Sequence, residues 1–402
     1  MSVVLWRGYI YENERERERE RKMSSSCASA TRVASTRTSV PRMQHRHRSH
    51  QFQQQQMRAT TPSPRAASAS ASAASIETTD LNNNNDADAR FASFRAQTAF
   101  LFPGQGAQYV GMAQETAATV PAAADLFTRA REVLGYDLLA VCAAGPKERL
   151  DSTAVSQPAI YVSSLAAVEA LRAREGGQAI IDACDVAAGL SLGEYTALAF
   201  AGAISFEDGL RIVKVRGESM QAASDAAPSA MASVIGLNAE RAEELCAAVT
   251  KEVGDEDGVK VANYLCKGNY AVSGGVRGIE TLEATAKEFG AKMVVRLAVA
   301  GAFHTKYMEP AVPALQEILE STSISSPRIP VISNVDAMPH SDPAAIRAIL
   351  GQQVTSSVLW ENTIRLILER GVEQSYELGP GKVIAGIMKR IDRKAALENI
   401  AV

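Results

Sequence analysis

Beyond residue 95 the apolar positions fall into two rhythms. Short, nearly continuous apolar runs at 98–102 and 184–189 read as buried strands. Longer stretches at 122–134, 157–172, 192–203 and 206–223 repeat their apolar positions every three or four residues, as helices do. Strands alternating with helices predict an α/β core on a mostly parallel sheet. Residues 226–298 break the pattern: strand 231–237, helix 239–253, a hairpin of 259–265 and 270–274 turning at Lys267-Gly268-Asn269, helix 279–289 and strand 292–299. That βαββαβ order predicts a ferredoxin-like unit inserted between two halves of a larger domain, 95–225 with 299–402. The larger domain resumes with strand 329–333, helices 343–353 and 360–369, strand 375–378 and helix 383–391. No apolar run reaches the roughly 18 residues that a membrane span needs.

Ahead of this body the composition changes. Residues 1–22 close on an alternating Glu/Arg run, and residues 23–76 hold seven arginines, many Ser and Ala, and no acidic residue. Such a stretch cannot bury enough apolar surface to fold by itself. Arg-rich, Ser-rich and acid-poor, it reads as an organelle transit peptide, plastid ahead of mitochondrion because Ser is so abundant. Met23 is an alternative start, the Asn run 82–85 reads as a linker, and residues 1–94 are taken together as a leader. Charge follows the same division: residues 1–90 carry 14 Lys+Arg and 9 Asp+Glu, residues 91–402 carry 28 and 36. An acidic body without a basic block argues against general nucleic-acid binding. The five cysteines, Cys27, Cys142, Cys184, Cys246 and Cys266, are scattered and odd in number. They predict no disulfide framework and no zinc site.

The chemistry centres on Gly189-Leu190-Ser191-Leu192-Gly193, a G-x-S-x-G run between a predicted strand and a predicted helix, where a nucleophile elbow must lie. The glycines permit a strained turn, and the amide of Leu192 at the helix start faces a developing oxyanion. A serine hydroxyl needs a base. Of the five histidines, His45, His47 and His50 fall in the leader, and His340 sits in a polar turn. His304, in a small-residue loop at 298–305, is the better candidate. Gln105 in Pro103-Gly104-Gln105-Gly106 is a candidate second amide donor, though the same residues make an ordinary strand-ending turn. Arg216, mid-helix, has the geometry to clamp a carboxylate; by its position alone it also reads as a solvated helix arginine.

Taken in order, Phe102-Pro103-Gly104-Gln105-Gly106-Ala107-Gln108, Ser156-Gln157-Pro158, Gly189-Leu190-Ser191-Leu192-Gly193-Glu194-Tyr195, Arg216-Gly217 with Met220-Gln221, Ala302-Phe303-His304, Ser333-Asn334-Val335-Asp336-Ala337 and Glu377-Leu378-Gly379-Pro380-Gly381-Lys382 resemble the malonyl-CoA:acyl-carrier-protein transacylases. The resemblance covers roughly residues 96–400. It implies an α/β-hydrolase-like large domain with an inserted ferredoxin-like subdomain. It implies Ser191 as nucleophile and His304 as base in a dyad, the imidazole oriented by the carbonyl of Leu359. The amides of Gln105 and Leu192 match the oxyanion hole. Arg216 matches the malonyl-carboxylate arginine, and Gln157, Met220 and Phe303 match substrate-pocket positions. Three positions depart from the usual pattern: Leu190 where many bacterial relatives have His, Ser357-Val358-Leu359-Trp360 for Pro-Val-Gln-Trp, and Leu265 in place of a pocket Asn.

The resemblance implies ping-pong transfer of malonyl from CoA to the phosphopantetheine thiol of acyl carrier protein, in fatty-acid synthesis, with no metal or redox cofactor and with a monomeric enzyme. Acyl carrier proteins are acidic, so docking needs a local basic patch. Lys389 and Arg390, with Arg393 and Lys394, are the candidates; cations at a helix C-terminus also simply favour the helix dipole. Two rivals remain at this point: a serine esterase or thioesterase using the same pair without Arg216, and a non-catalytic acyl-carrier or CoA-binding protein.

Overall fold

The computed structural model describes residues 90–402, which belong to the unit Thr78–Val402. The Glu/Arg run, the expected transit segment, Met23, the Asn run, Cys27 and the histidines His45, His47 and His50 lie outside the described residues.

β1 (Thr98–Phe102), β2 (Val186–Gly189), β7 (Val331–Ile332), β8 (Gln374–Leu378) and β9 (Leu397–Ile400) form a sheet in the order β7-β2-β1-β8-β9, every pair parallel. Successive side chains of a strand point to opposite faces. Phe100, Phe102 and Ala187 accordingly join the core under the helices Pro121–Leu134, Thr153–Arg172 and Phe206–Ala226. Ala99, Leu101, Val186 and Ala188 join the core on the other face, under the helices Trp360–Glu369 and Val383–Ile391. Burial on both faces explains why β1 and β2 read as continuous apolar runs rather than alternating ones.

β2 begins at Val186, two residues later than the pattern suggests. At Asp185 the amide still donates to Thr98 O (2.9 Å), while the carboxylate turns back to accept from the amides of Gln97 (3.0 Å) and Thr98 (3.1 Å), so side-chain bonds cap the end of the ladder. The helix expected from Gln157 starts at Thr153, with Pro158 inside it. The Thr153 amide, which has no intrahelical partner, donates to Gln221 Oε1 at 2.9 Å. β9 has no apolar signal because it is an edge strand in which only Ile400 is buried.

The second sheet holds β3 (Ser229–Ile235), β4 (Val259–Cys266), β5 (Asn269–Gly275) and β6 (Met293–Arg296) in the antiparallel order β4-β5-β3-β6. The helices Ala239–Val253 and Val276–Thr285 share its separate core. The fold is thus α/β, with a parallel sheet and a separate small antiparallel sheet. The hairpin turns on Lys267-Gly268, Gly268 taking φ +81°, a backbone that its missing Cβ permits.

One segment of the larger domain pairs with the edge of the small sheet. Val358 donates its amide to Ala262 O (2.8 Å) and accepts from Tyr264 N (2.9 Å), and Ser357 Oγ donates to Val261 O (2.7 Å). The edge of β4 thereby holds the chain just before the helix Trp360–Glu369. No helix among the described residues is long and apolar enough to cross a membrane.

Candidate active site

Parallel pairing brings the carboxyl ends of β1, β2 and β7 to one edge, the usual place for a site in such sheets. The residues that follow them carry Gln105, Ser191 and Asn334 respectively. Ser191 stands between β2 and the helix Leu192–Phe200 with φ 51° and ψ −103°. A side chain held there costs about 1–3 kcal/mol and persists only where its surroundings enforce it. Three close approaches do so. A Cβ on Gly189 would lie 1.8 Å from the Gly193 carbonyl carbon, one on Gly193 would lie 2.2 Å from Phe102 O, and one on Gly104 would lie 2.3 Å from Leu190 O. The Gln105 loop and the serine turn are therefore packed backbone to backbone.

Ser191 Oγ lies 2.9 Å from His304 Nε2. The imidazole is buried, and His304 itself takes a positive φ of 62°. Its Nδ1 faces two carbonyls, Gln353 O at 2.9 Å and Ser356 O at 3.1 Å. Carbonyls only accept, so Nδ1 carries the proton and Nε2 offers its lone pair to Ser191. Burial, with the Arg216 charge adding to it, lowers the His304 pKa to about 4. The base is neutral at physiological pH.

This geometry corrects one expectation. The carbonyl that orients the base is not that of Leu359, whose oxygen accepts from Thr363 N (3.0 Å) and Thr363 Oγ1 (3.1 Å) in the first turn of the following helix. Gln353 and Ser356 supply the acceptors instead.

Arg216 is 1% exposed, so it is no solvated helix arginine. Nη2 donates to Ser191 Oγ (3.1 Å) and Gln353 Oε1 (3.0 Å), and Nη1 donates to Gln157 Oε1 (2.7 Å). Its Nε has no partner among the described residues, and its guanidinium lies 5.3 Å from the centre of the Tyr195 ring. Burial lowers its pKa, while Tyr195 and then Glu194 favour the charged form. Gln157 in turn donates Nε2 to Met220 Sδ at 3.4 Å, and Phe303 is buried beside His304 in the chain. The structure thus gathers Ser191, His304, Arg216, Gln157 and Met220 into one bonded cluster.

Leu192 opens its helix, where the amides of Gly193 and Glu194 already donate to Leu190 O and Ser191 O. First-turn amides lack intrahelical acceptors, which suits the Leu192 amide to an oxyanion. Gln105 is half-buried, its side chain donating to Thr153 Oγ1 at 3.3 Å. Lys389 and Arg390 are exposed in the last turn of Val383–Ile391. Leu265 packs against the core on the same side. His340 lies apart from Ser191, its Nε2 2.8 Å from Asp336 Oδ2.

Three further residues hold the site together, and the sequence alone assigns them no role. Asn334 accepts from Ser191 N (2.6 Å) and donates Nδ2 to Gly189 O (2.8 Å), stapling both sides of the elbow. Gln353 Nε2 donates to Ser191 O (3.1 Å) and Glu194 Oε2 (2.6 Å). Glu194 is buried, which raises its pKa to about 7. Asn334 and Glu194 stand inside quoted motifs, the only signal they give.

Among known proteins, residues 99–396 match the acyl transferase domain family. The chain is 43% identical over 310 residues to the mouse mitochondrial malonyl-CoA-acyl carrier protein transacylase, covering 74% of this chain and 80% of that one. The solved Coxiella burnetii malonyl CoA-acyl carrier protein transacylase has a TM-score of 0.70 at 36% identity, over 77% of this chain and 95% of its own. A malonyl-transacylase solved in complex with a type II PKS acyl-carrier protein has a TM-score of 0.70 at 35% identity, over 76% and 96%. Domain, fold and identity agree across almost the whole described body, and the chain belongs to the malonyl-CoA-acyl carrier protein transacylases of the acyl transferase family.

Proposed function

We propose that the protein moves malonyl from malonyl-CoA to the phosphopantetheine thiol of acyl carrier protein through a malonyl-Ser191 ester, in fatty-acid synthesis. The observation that carries this reading beyond a generic serine hydrolase is Arg216: a buried cation 3.1 Å from the nucleophile, with an unpartnered Nε. A carboxylate-ended acyl group offers that guanidinium the acceptor it lacks. An esterase for neutral acyl groups has no use for so costly a buried charge.

In this reading Ser191 attacks the thioester carbonyl as His304 Nε2 takes its proton. The oxyanion meets the amides of Leu192 and Gln105, His304 returns the proton to the departing CoA thiolate, and the carrier thiol then reverses the steps. Gln157, Met220 and Phe303 shape the malonyl pocket. No metal or redox group enters the reaction, the enzyme acts as a monomer, and the basic end of the last helix at Lys389 and Arg390 meets the acidic carrier. The complex of a related malonyl-transacylase with its acyl-carrier protein supports that partner class.

The leader directs import into an organelle. Its Ser-rich composition favours a plastid, while the mouse relative is named mitochondrial. A fluorescent fusion to residues 23–95 separates the two compartments, and a cytosolic signal contradicts both.

The function is tested by malonyl transfer from malonyl-CoA to a holo acyl carrier protein. Wild type transfers; Ser191→Ala and His304→Ala lose about a thousandfold or more. Arg216→Ala loses malonyl transfer while its transfer of acetyl is retained. Malonyl transfer intact in Arg216→Ala removes the carboxylate-clamp reading and restores the esterase alternative.

A further inference from the structure

We propose that Glu194 is a positioning residue for malonyl selection, acting on Arg216 through the side-chain amide of Gln353. The inference rests on Arg216 being the malonyl-carboxylate clamp.

Glu194 sits in the first turn of the helix that Ser191 begins, is 3% exposed, and touches neither the hydroxyl nor the imidazole through any bond described above. One carboxylate oxygen, Oε2, accepts from two fully buried residues: Gln353 Nε2 at 2.6 Å and the Asn334 amide at 3.1 Å. The Gln353 amide is a two-ended connector. Its nitrogen is committed to Glu194 and to Ser191 O, so its oxygen is left facing Arg216 Nη2 at 3.0 Å. The sequence of groups is carboxyl, amide, guanidinium: an oxygen acceptor orients a dipole whose negative end holds a cation. A buried guanidinium without a direct carboxylate is an expensive arrangement, and an amide aligned by a carboxyl group stabilises it while leaving the cation free to take a substrate's carboxylate. A direct Glu–Arg pair at this place would neutralise the clamp and compete with malonyl.

The backbone carbonyl of Gln353 also accepts from His304 Nδ1 at 2.9 Å. Disturbing Gln353 therefore affects acylation by any acyl group as well as malonyl in particular. The ratio of malonyl to acetyl acylation isolates the part that passes through Arg216, since acetyl carries no carboxylate.

The experiment measures kcat/KM for acylation of Ser191 in the full chain by malonyl-CoA and by acetyl-CoA. Glu194→Leu is expected to lower the malonyl-to-acetyl ratio about tenfold, the worth of one hydrogen bond to a charged buried group. Glu194→Gln keeps the wild-type ratio, because the carbonyl oxygen of Gln can accept the same two bonds. In an Arg216→Ala background, Glu194→Leu changes the ratio no further. A purely structural Glu194 instead lowers both substrates alike. Gln353→Met, which removes the connector and keeps the backbone carbonyl, reproduces the ratio loss and decides the matter if Glu194→Leu does not fold. An unchanged ratio in Gln353→Met, or losses that add in the double variant, overturns the inference. If Arg216→Ala itself leaves the ratio unchanged, the clamp reading falls and this one with it; if Arg216→Ala lowers the ratio and Glu194→Leu does not, only this one falls.

Discussion

Ser191 is held in a backbone conformation that ordinary residues avoid, by the close approach of other residues' backbones and by the side chains of Asn334 and Gln353. Its hydroxyl meets an imidazole whose protonation is set by burial first and by the Arg216 charge second. A base with a pKa lowered to about 4 remains competent far below the ordinary histidine value of 6.5. The acid limb of single-turnover malonylation is therefore expected near pH 4, and in Arg216→Met it moves upward because the Arg216 charge, the largest lowering cause after burial, is gone. A wild-type limb near 6.5, measured by rapid quench, contradicts the buried-base geometry. The same shift carries a stability consequence. The unfolded chain takes up a proton at His304 near pH 6.5 while the folded one does not, so this contribution is present above 6.5 and is lost as pH falls toward 4. Glu194, raised to about 7, contributes in the same window with the opposite sign, so the difference in calorimetric stability between wild type and His304→Gln, followed from pH 7 to 4, reports the His304 part.

The elements that carry the site are largely legible in the sequence. Ser191 stands out because a strand, a glycine-flanked serine and a helix follow one another, and His304 because few histidines compete. Gln353, Asn334 and Glu194 do not, since a polar residue at a buried helix end or loop has no local period to betray its partner. Element edges slip where a side chain caps the end of a ladder, as Asp185 does before β2. Gly193 offers the sharpest test at this scale. Its Cβ would meet Phe102 O at 2.2 Å, a backbone atom of the neighbouring strand that cannot step aside. Gly193→Ala is expected to cost about 2 kcal/mol or more, with Ser191 acylation lost. Gly386, exposed in the helix Val383–Ile391, has nothing within 4 Å of its Cβ position. Gly386→Ala should stabilise the fold by about 0.5–1 kcal/mol. Urea unfolding of the pair checks both signs.

At the scale of the whole molecule, the small sheet does more than decorate the large one. The edge of β4 pairs with Val358, five residues beyond Gln353 and two beyond Ser356, whose carbonyls orient the base. Both sheets, β9 apart, are readable from the sequence but this seam is not, because every residue has a carbonyl and only packing chooses which ones face His304; that is why Leu359 is the wrong choice. Val358→Pro removes the donor to Ala262 O and is expected to lower kcat about tenfold, with the KM for malonyl-CoA little changed. A proportional rise in KM instead assigns the seam to substrate binding. All of this depends on a hydroxyl that becomes acylated. The direct measurement is peptide mass spectrometry of the protein after brief mixing with malonyl-CoA. A single malonyl group on the peptide containing Ser191, absent in Ser191→Ala and depleted when holo acyl carrier protein is added, is the result predicted here. An unmodified Ser191, or malonyl carried on another residue, contradicts it.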